Sequence, residues 1–322
     1  MDLTVCICTH NRPDYVRDCL IGLDRQSVPA GRFDVLIVDS GSGWDVHADL
    51  AGQIAARPRT RLIRLDIPGV SAARNAGAAA ARTPYIAYID DDAIPAEDWI
   101  EAILDALARH PGPIAVLGGR ILPKWEAPLP IWWPESLVGV LSIITHEGEG
   151  AYRSLDLPPG LEPYAANMVV HIQSLRAHGG FGQGIGRIGG ALLSDEEVQI
   201  AWRLQDAGLA VRYDSRILVF HQIQAQRLNP AWLLSRLYWQ GASTVMTRRL
   251  LGYRVAVWRE LPRRLLVLTV CAPMALWPRA SPHCLALRWR WAYAAGFVRA
   301  ALGWRVTRAA WRAGAPSSPV PS

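Results

Sequence analysis

The chain has 322 residues, 51% of them hydrophobic, which is enough apolar material for a large folded domain plus an appendage and excludes global disorder. The net charge of +6 conceals an asymmetry: from Arg227 to Arg312 there are fifteen arginines, no lysine and one acid, Glu260, so this stretch carries about +14 and the remainder about −8. The five cysteines show no CxxC spacing, which reads as buried thiols in a reducing compartment rather than a zinc or redox motif.

The chain enters a strand at once, over Leu3–Cys8, with no basic and apolar leader ahead of it. This sets the expectation of a cytoplasmic catalytic part. Further short runs rich in Val and Ile follow at Asp34–Asp39, Leu62–Ile67, Tyr85–Asp90 and Ile114–Leu117. Helical patterns separate them, at 14–27, 45–56, 71–82 and 96–109. Strands alternating with helices predict a mostly parallel sheet covered on both faces. Residues 123–163 hold seven prolines and three tryptophans without a period and read as a loop-rich insertion. A helix is predicted over 194–207, opened by Ser194 and Glu197 as a capping box. Two strands, Val211–Tyr213 and Ile217–Phe220, follow it.

After Asn229 the character changes. Eight of the fourteen tryptophans lie here, and Leu265–Trp277 is an apolar run of 13 residues flanked by arginines. A spanning helix needs about 20 residues, so the run is too short to cross a bilayer. Two readings stand: helices lying in an anionic membrane interface, or an appendage packed on the main domain. The domain expectation is 1–225 for the main domain, 226–314 for the basic helical region and 315–322 for a disordered tail.

In a wound α/β sheet, ligands bind beyond the carboxyl ends of the strands. The first strand runs into Thr9-His10-Asn11-Arg12, the second ends at Asp39-Ser40-Gly41-Ser42, and the fourth ends at Asp90-Asp91-Asp92. Three successive carboxylates repel one another unless a cation or hydrogen-bond donors compensate. Oxygen ligands of this kind favour Mg²⁺ or Mn²⁺, which share their coordination with substrate phosphates. No Walker A pattern occurs. Gly184, Gly186 and Gly189 form a GxGxxG, but they follow a helical segment rather than the first strand, so they read as a flexible loop and not a dinucleotide fingerprint.

The ordered blocks Thr9-His10-Asn11-Arg12, Ile37–Ser42, Gly69–Gly77, Tyr88–Asp92, Gly179-Gly180-Phe181, Glu196-Glu197 with Arg203, and Val219-Phe220-His221 closely resemble family 2 glycosyltransferases of the GT-A fold. The resemblance covers about residues 1–222. It implies a divalent metal, a nucleotide-sugar donor and inversion at the anomeric carbon. It makes Asp90 and Asp92 the DxD pair, with His221 near the metal and diphosphate. Thr9, Asn11, Arg12, Asp39, Arg74, Asp90 and Asp91 fall near the donor. Glu197 takes the place of the catalytic base, with Glu196 and Arg203 in support. The chain departs from the family's habit at Ser40, where an acid or Asn is frequent, and at Glu197, where Asp is commoner.

The expectation is therefore an inverting transfer of a sugar to a carbohydrate or lipid-linked acceptor, in the making of a polysaccharide or glycoconjugate. The rival from another class is a non-catalytic nucleotide-sugar or membrane-binding protein on a degenerate GT-A scaffold. Retention of Asp90, Asp92, Glu197 and His221 speaks against it. A nucleotidyltransferase would want a glycine-rich, lysine-bearing loop after the first strand, which Cys8–Pro13 lacks. Nucleic acid is not expected as a partner; peripheral attachment to the cytoplasmic face of a membrane is.

Overall fold

Four of the apolar runs become neighbouring parallel strands in a computed structural model that describes residues 2–182, 184–187, 191–275 and 282–303. Strand β1 (Leu3–Thr9) lies between β2 (Phe33–Ser40) and β4 (Tyr85–Asp90), and β3 (Thr60–Leu65) pairs with the far side of β2. Each crossover contains a helix: α1 (Pro13–Asp24), α2 (Trp44–Ile54) and α3 (Val70–Ala80). All eight residues of β2 are buried, as a central parallel strand covered on both faces must be. The register sets Thr9 against Asp39 and Cys8 against Asp90, so three strand ends meet at one edge.

The second half of the sheet is mixed. A short strand β5 (Ala93–Pro95) and helix α4 (Trp99–Arg109) lead to β6 (Ile114–Trp125). Strand β7 (Glu149–Ala151) follows, then β8 (Met168–His171), helix α5 (Ile172–Ala177), helix α6 (Glu196–Asp206) and β9 (Ala210–Ile223). The strand order is β3-β2-β1-β4-β8-β6-β9-β5, with β7 also on β9. Strand β8 is antiparallel to both β4 and β6, while β6 and β9 run parallel.

Three differences from the sequence reading have physical causes. Strand β6 runs on through Pro123 into the stretch expected to be loop, because its pairing with β9 continues to Trp125 and Ile223. The two strands expected at 211–213 and 217–220 are one, because a register shift between Gly119 and Arg120 absorbs the polar interruption at Asp214–Arg216. Strands β5, β7 and β8 have three or four residues each, too short for a periodic signal.

A buried amide holds this half together. Asn167, fully enclosed, accepts from Trp99 Nε1 at 2.9 Å and donates to the carbonyls of Arg120 and Ile217 at 2.9 and 2.7 Å. Gly119 lies against it: a Cβ there would sit 2.2 Å from the Ile217 carbonyl oxygen and 2.3 Å from Asn167 Nδ2.

The chain divides into two compact units, one running to Phe181 and resuming over Glu197–Leu228, the other formed by Gly182–Glu196 and the chain from Asn229 onward. The second unit is helical. Its helices are α7 (Pro230–Leu250), α8 (Arg254–Ala275) and α9 (Pro282–Ala301). Asn229 caps α7 by accepting from Trp232 N at 2.9 Å, and Pro230 fills the first helical turn, where its missing N–H costs nothing. Helices α7 and α9 approach closely through Gly241 and Gly296, where a Cβ would meet the Tyr293 and Tyr238 carbonyl oxygens at 2.1 and 1.8 Å. A separate core gathers Ala242, Val245, Val257, Leu261 and Phe297. Among the described residues no helix is long and apolar enough to cross a membrane. Gly189, Trp277, Trp304, Trp311 and the 315–322 tail lie outside the described residues.

Replacing Asn167 by Leu should leave two buried carbonyls and the Trp99 N–H without partners. At about 1–3 kcal/mol for each unsatisfied group, the variant should lose at least about 3 kcal/mol in urea denaturation. A loss below about 1 kcal/mol would mean that water replaces the amide.

Candidate active site

The edge where β1, β2 and β4 end gathers most of the residues expected there. Asp39 is completely buried. It accepts from Ser42 N at 3.0 Å, from His47 Nδ1 at 2.7 Å and from Arg64 at 3.0 Å. Burial alone would raise its carboxyl pKa, but these bonds and the Arg64 charge carry it below the usual range. The Arg64 guanidinium stacks 4.0 Å from the ring of Trp44, which is 72% exposed. Asn11, with φ of +54°, clasps the neighbouring loop: its N–H donates to Ser42 Oγ and its Oδ1 accepts from Gly43 N. His10 bonds the Ser40 carbonyl in the same way.

The three aspartates have distinct surroundings. Asp90 is the partly exposed one, with Arg74 3.5 Å away. Arg74, on α3, is buried rather than exposed on the helix surface. Asp91 accepts from Thr9 Oγ1 and from Arg12, both at 2.7 Å. Burial dominates there, and with Asp92 and Asp90 close by it lifts the Asp91 pKa to about 7 against the pull of Arg12 and Thr9. Asp92 is the anionic centre. Its Oδ2 accepts from Arg12 at 2.5 Å, Gln224 at 2.8 Å and Arg227 at 3.0 Å, and its Oδ1 lies 3.3 Å from His221 Nε2. Burial raises its pKa, yet His221 and the two arginines outweigh burial and hold it well below the usual range. These charges also hold the Arg12 guanidinium firmly in its cationic form.

Two of these partners were not picked out from the sequence. Gln224 and Arg227 lie just past β9, in and before the single turn Ala225–Arg227. In the sequence Arg227 reads only as the first of fifteen arginines. The one signal was its place three residues after Gln224, a spacing that returns a side chain to the same side of a turn.

The chemistry of the donor set can be tested against a divalent cation. Among the described residues no cluster of three or more His, Cys, Asp and Glu side chains could hold a metal unaided. Mg²⁺-type sites use one or two protein ligands and take the rest from phosphates and water, so a site here would have to be of that kind. His221 Nδ1 lies 3.0 Å from the Leu141 carbonyl, which can only accept, so Nδ1 carries a proton. Its Nε2 therefore faces Asp92 Oδ1 either as a second N–H or as a lone pair beside a carboxylate, and the latter requires a cation between them. An imidazole oriented by a backbone carbonyl is the usual support for a metal-binding nitrogen. Asp92 and His221 thus fit a divalent site of at most two protein ligands, with phosphate and water supplying the rest.

Glu197 and Glu196 are both buried, in the first turn of α6. The expected capping box is not formed. The helix starts at Glu196, so Asp195 and not Ser194 precedes it, with φ of +75°. The Asp195 carboxylate accepts from Gln240 Nε2 at 2.9 and 3.1 Å and from Ser194 Oγ at 2.8 Å. Arg203 donates to the Gly180 carbonyl, and Asn75 clasps the adjacent Phe181 through both its backbone N–H and its carbonyl. Arg203 therefore fixes the Gly179–Phe181 turn.

Comparison with known proteins bears on this site. Residues 4–137 match the model of glycosyl transferase family 2. The chain is 27% identical over 242 residues to the pre-mycofactocin glycosyltransferase of Mycobacterium tuberculosis, covering 73% of this chain and 46% of that protein. It is 29% identical over 176 residues to the glucosyl-dolichyl phosphate glucuronosyltransferase of Haloferax volcanii, 54% of each chain. The chain thus spans about half the length of these relatives. Among solved structures, a mannosyltransferase from Pyrobaculum calidifontis in complex with GDP-Man and Mn²⁺ superposes with a TM-score of 0.61 at 14% identity, covering 94% of this chain and 88% of that one. Residues 1–349 of S. aureus TarS in complex with UDP superpose with a TM-score of 0.52 at 13% identity, covering 95% and 93%. At these identities the likeness shows a common GT-A-type fold.

The depressed pKa of Asp39 gives a pH test. A carboxyl whose pKa falls on folding stabilises the protein in full above its unfolded value, and the stabilisation is lost as pH falls through the folded value. Wild type should exceed Asp39→Asn in urea midpoint at pH 6, and the gap should close progressively below about pH 4, the ordinary carboxylate range. A gap independent of pH would show that Asp39 acts through shape alone.

Proposed function

We propose that this chain, whose residues 4–137 match the model of glycosyl transferase family 2, transfers a sugar with inversion from a nucleotide-sugar donor to an acceptor hydroxyl. The observation that carries the reading is the arrangement at Asp90–Asp92. One carboxylate is locked by Arg12, Arg227 and Gln224, with its second oxygen turned to His221. A partly exposed carboxylate stands beside it. In the proposal Asp92 and His221, with Asp90 nearby in the same acidic turn, would hold Mg²⁺ or Mn²⁺ together with the donor's phosphates, and the solved neighbour with GDP-Man and Mn²⁺ supports the use of a divalent ion. When bound, the ion stabilises negative charge on the departing diphosphate.

The chain's own residues do the rest. Asp39, bonded to Ser42, His47 and Arg64, fixes the loop beside the nucleoside portion, and Trp44 offers an exposed ring there. Thr9 and Arg12 hold Asp91, and Arg12 also holds Asp92, so the acidic turn keeps one shape as charge develops. Glu197 takes the acceptor hydroxyl's proton as that oxygen bonds to the anomeric carbon. The bond from the anomeric carbon to the diphosphate oxygen breaks, and the nucleoside diphosphate leaves with its electron pair. A single displacement inverts the configuration and needs no protein nucleophile. At the start of α6, backbone N–H groups favour the ionised form of Glu197 that a base requires.

The relatives named above support a glycoconjugate or polysaccharide as product, with a carbohydrate or lipid-linked acceptor. A succinoglycan biosynthesis protein of Rhizobium meliloti, 27% identical over 146 residues, points the same way. An anionic membrane surface is proposed as a further partner of the helical unit.

A donor-hydrolysis screen across UDP-, GDP- and dTDP-sugars with Mg²⁺ or Mn²⁺ tests the reading, and no turnover with any of them would sink it. Excess chelator, or Asp92→Asn, should nearly abolish transfer; full turnover in chelator would remove the metal. Glu197→Gln should bind donor within a few-fold of wild type while kcat falls by about 10²–10⁴. Normal turnover by a folded Glu197→Gln protein would hand the proton to Glu196 or Asp195.

A further inference from the structure

We propose that the outer side of α8 lies in the interface of an anionic phospholipid bilayer, with a lipid phosphate held in the cleft between Arg249, Arg254 and Trp258. The inference rests on the membrane partner proposed above and gives it a surface and a ligand.

An amphipathic helix on a soluble protein turns its polar side to water. Helix α8 does not. Val257, Leu261 and Cys271 form its buried side. Its opposite side carries Val255, Trp258, Leu265, Leu266 and Val270, exposed by 65, 56, 44, 62 and 65%. Arg254, Arg259 and Arg263 are exposed beside these apolar side chains, and none has a carboxylate partner among the described residues. Glu260, the only acid between Asn229 and Gly303, is turned inward and bound by Arg248 and Arg264. The charge left facing outward is therefore purely cationic and mixed with large apolar groups.

That combination selects its occupant. Nucleic acid would match the arginines but would leave five apolar side chains in water. A bilayer surface matches both: the apolar side chains enter the acyl boundary while the guanidinium groups stay at the phosphates, and Trp sits at headgroup level.

The cleft supplies the specific element. It has a volume of about 340 Å³ and is lined by Arg249, Arg254, Val257 and Trp258. Arg249 is fixed in place, donating to the carbonyls of Ala300 and Ala301 at 2.9 and 2.7 Å. Those bonds use two of its five N–H groups. Arg254 reaches the same space from the first turn of α8. A cleft lined by two arginines and an indole suits a phosphate, whose oxygens guanidinium groups bind through paired N–H donors. A tail attached to that phosphate would continue onto the apolar side of the helix.

The test uses flotation of the full chain with vesicles of phosphatidylcholine alone and of phosphatidylcholine mixed with phosphatidylglycerol. The protein should float with the mixed vesicles at low salt and not with phosphatidylcholine alone. Arg254→Glu and Leu266→Glu should each weaken partitioning by about tenfold, as expected for losing one charge contact or one buried apolar contact. Arg290→Glu, exposed on α9, should change it far less. Wild-type protein that ignores the mixed vesicles overturns the proposal, as do Arg254→Glu and Leu266→Glu variants that partition normally. An Arg290→Glu loss as large as that of Arg254→Glu overturns the cleft, since attraction would then be diffuse. Inorganic phosphate that raises the melting temperature of wild type but not of Arg254→Glu, as strongly as the vesicles do, overturns the lipid as its source. Donor hydrolysis on the same preparations should be equal in wild type and Arg254→Glu. Flotation without any hydrolysis would end the transfer reading and leave this one standing.

Discussion

Everything at the edge where β1, β2 and β4 end depends on keeping Asp92 charged while it is buried. Removing a carboxylate from water costs several kcal/mol, and two further carboxylates precede it in the chain. Arg12, Arg227, Gln224 and His221 together offset that cost. The compensation is divided by position. Arg12 comes from the loop after β1 and also neutralises Asp91, so the first strand and the acidic turn lock together. His221 comes from β9, and Gln224 and Arg227 from just beyond it, which commits the far half of the sheet to the same point. Asp90 receives only the longer contact from Arg74 and stays the most accessible of the three. A buried, fully paired carboxylate is rigid, and an accessible one beside it can take a ligand. The triple-aspartate run therefore resolves into two buried, paired carboxylates and one open one, with one oxygen of Asp92 turned to His221.

The same logic orders the rest of the edge. Asp39 is held by a backbone N–H, an imidazole and a guanidinium, so a group that a loop would leave mobile is as fixed as the core beneath it. Asn11 and His10 tie the loop after β1 to the loop after β2, and Arg203 and Asn75 tie the Gly179–Phe181 turn to α6 and α3. Preorganisation of this kind lets donors and charges act without rearranging as a reaction proceeds.

Much of this was legible in the sequence, for reasons that can be named. The first four strands and three crossover helices have long, regular apolar periods, and the rule that ligands sit at strand ends then placed Thr9, Asp39 and Asp90 together without coordinates. The short antiparallel strands β5, β7 and β8 were not legible, because three or four residues carry no period. Asn167 was invisible for a similar reason: one buried amide that closes three hydrogen bonds has no pattern in its neighbours. Arg227 was visible but misfiled, since one arginine at the head of a basic run differs from the others only in what it touches. The S-x-x-E pattern at Ser194 misled, because Asp195 is held by Gln240 and itself occupies the position before the helix.

The spacing between Asp92 and its partners has a consequence for how the protein is made. Gln224 and Arg227 lie 132 and 135 residues further along the chain. At synthesis rates of about 5–20 residues per second, the acidic turn leaves the ribosome roughly 7–27 s before they do. During that interval β1, β2, β3 and β4 can already pair, and of the three basic partners of Asp92 only Arg12 has been made. The nascent half-sheet then waits with its most acidic point under-neutralised, even after β8 (Met168–His171) has been made and can pair with β4. Nucleotide or divalent ion present in the cell at that stage would meet an anionic, half-built pocket before the finished one exists.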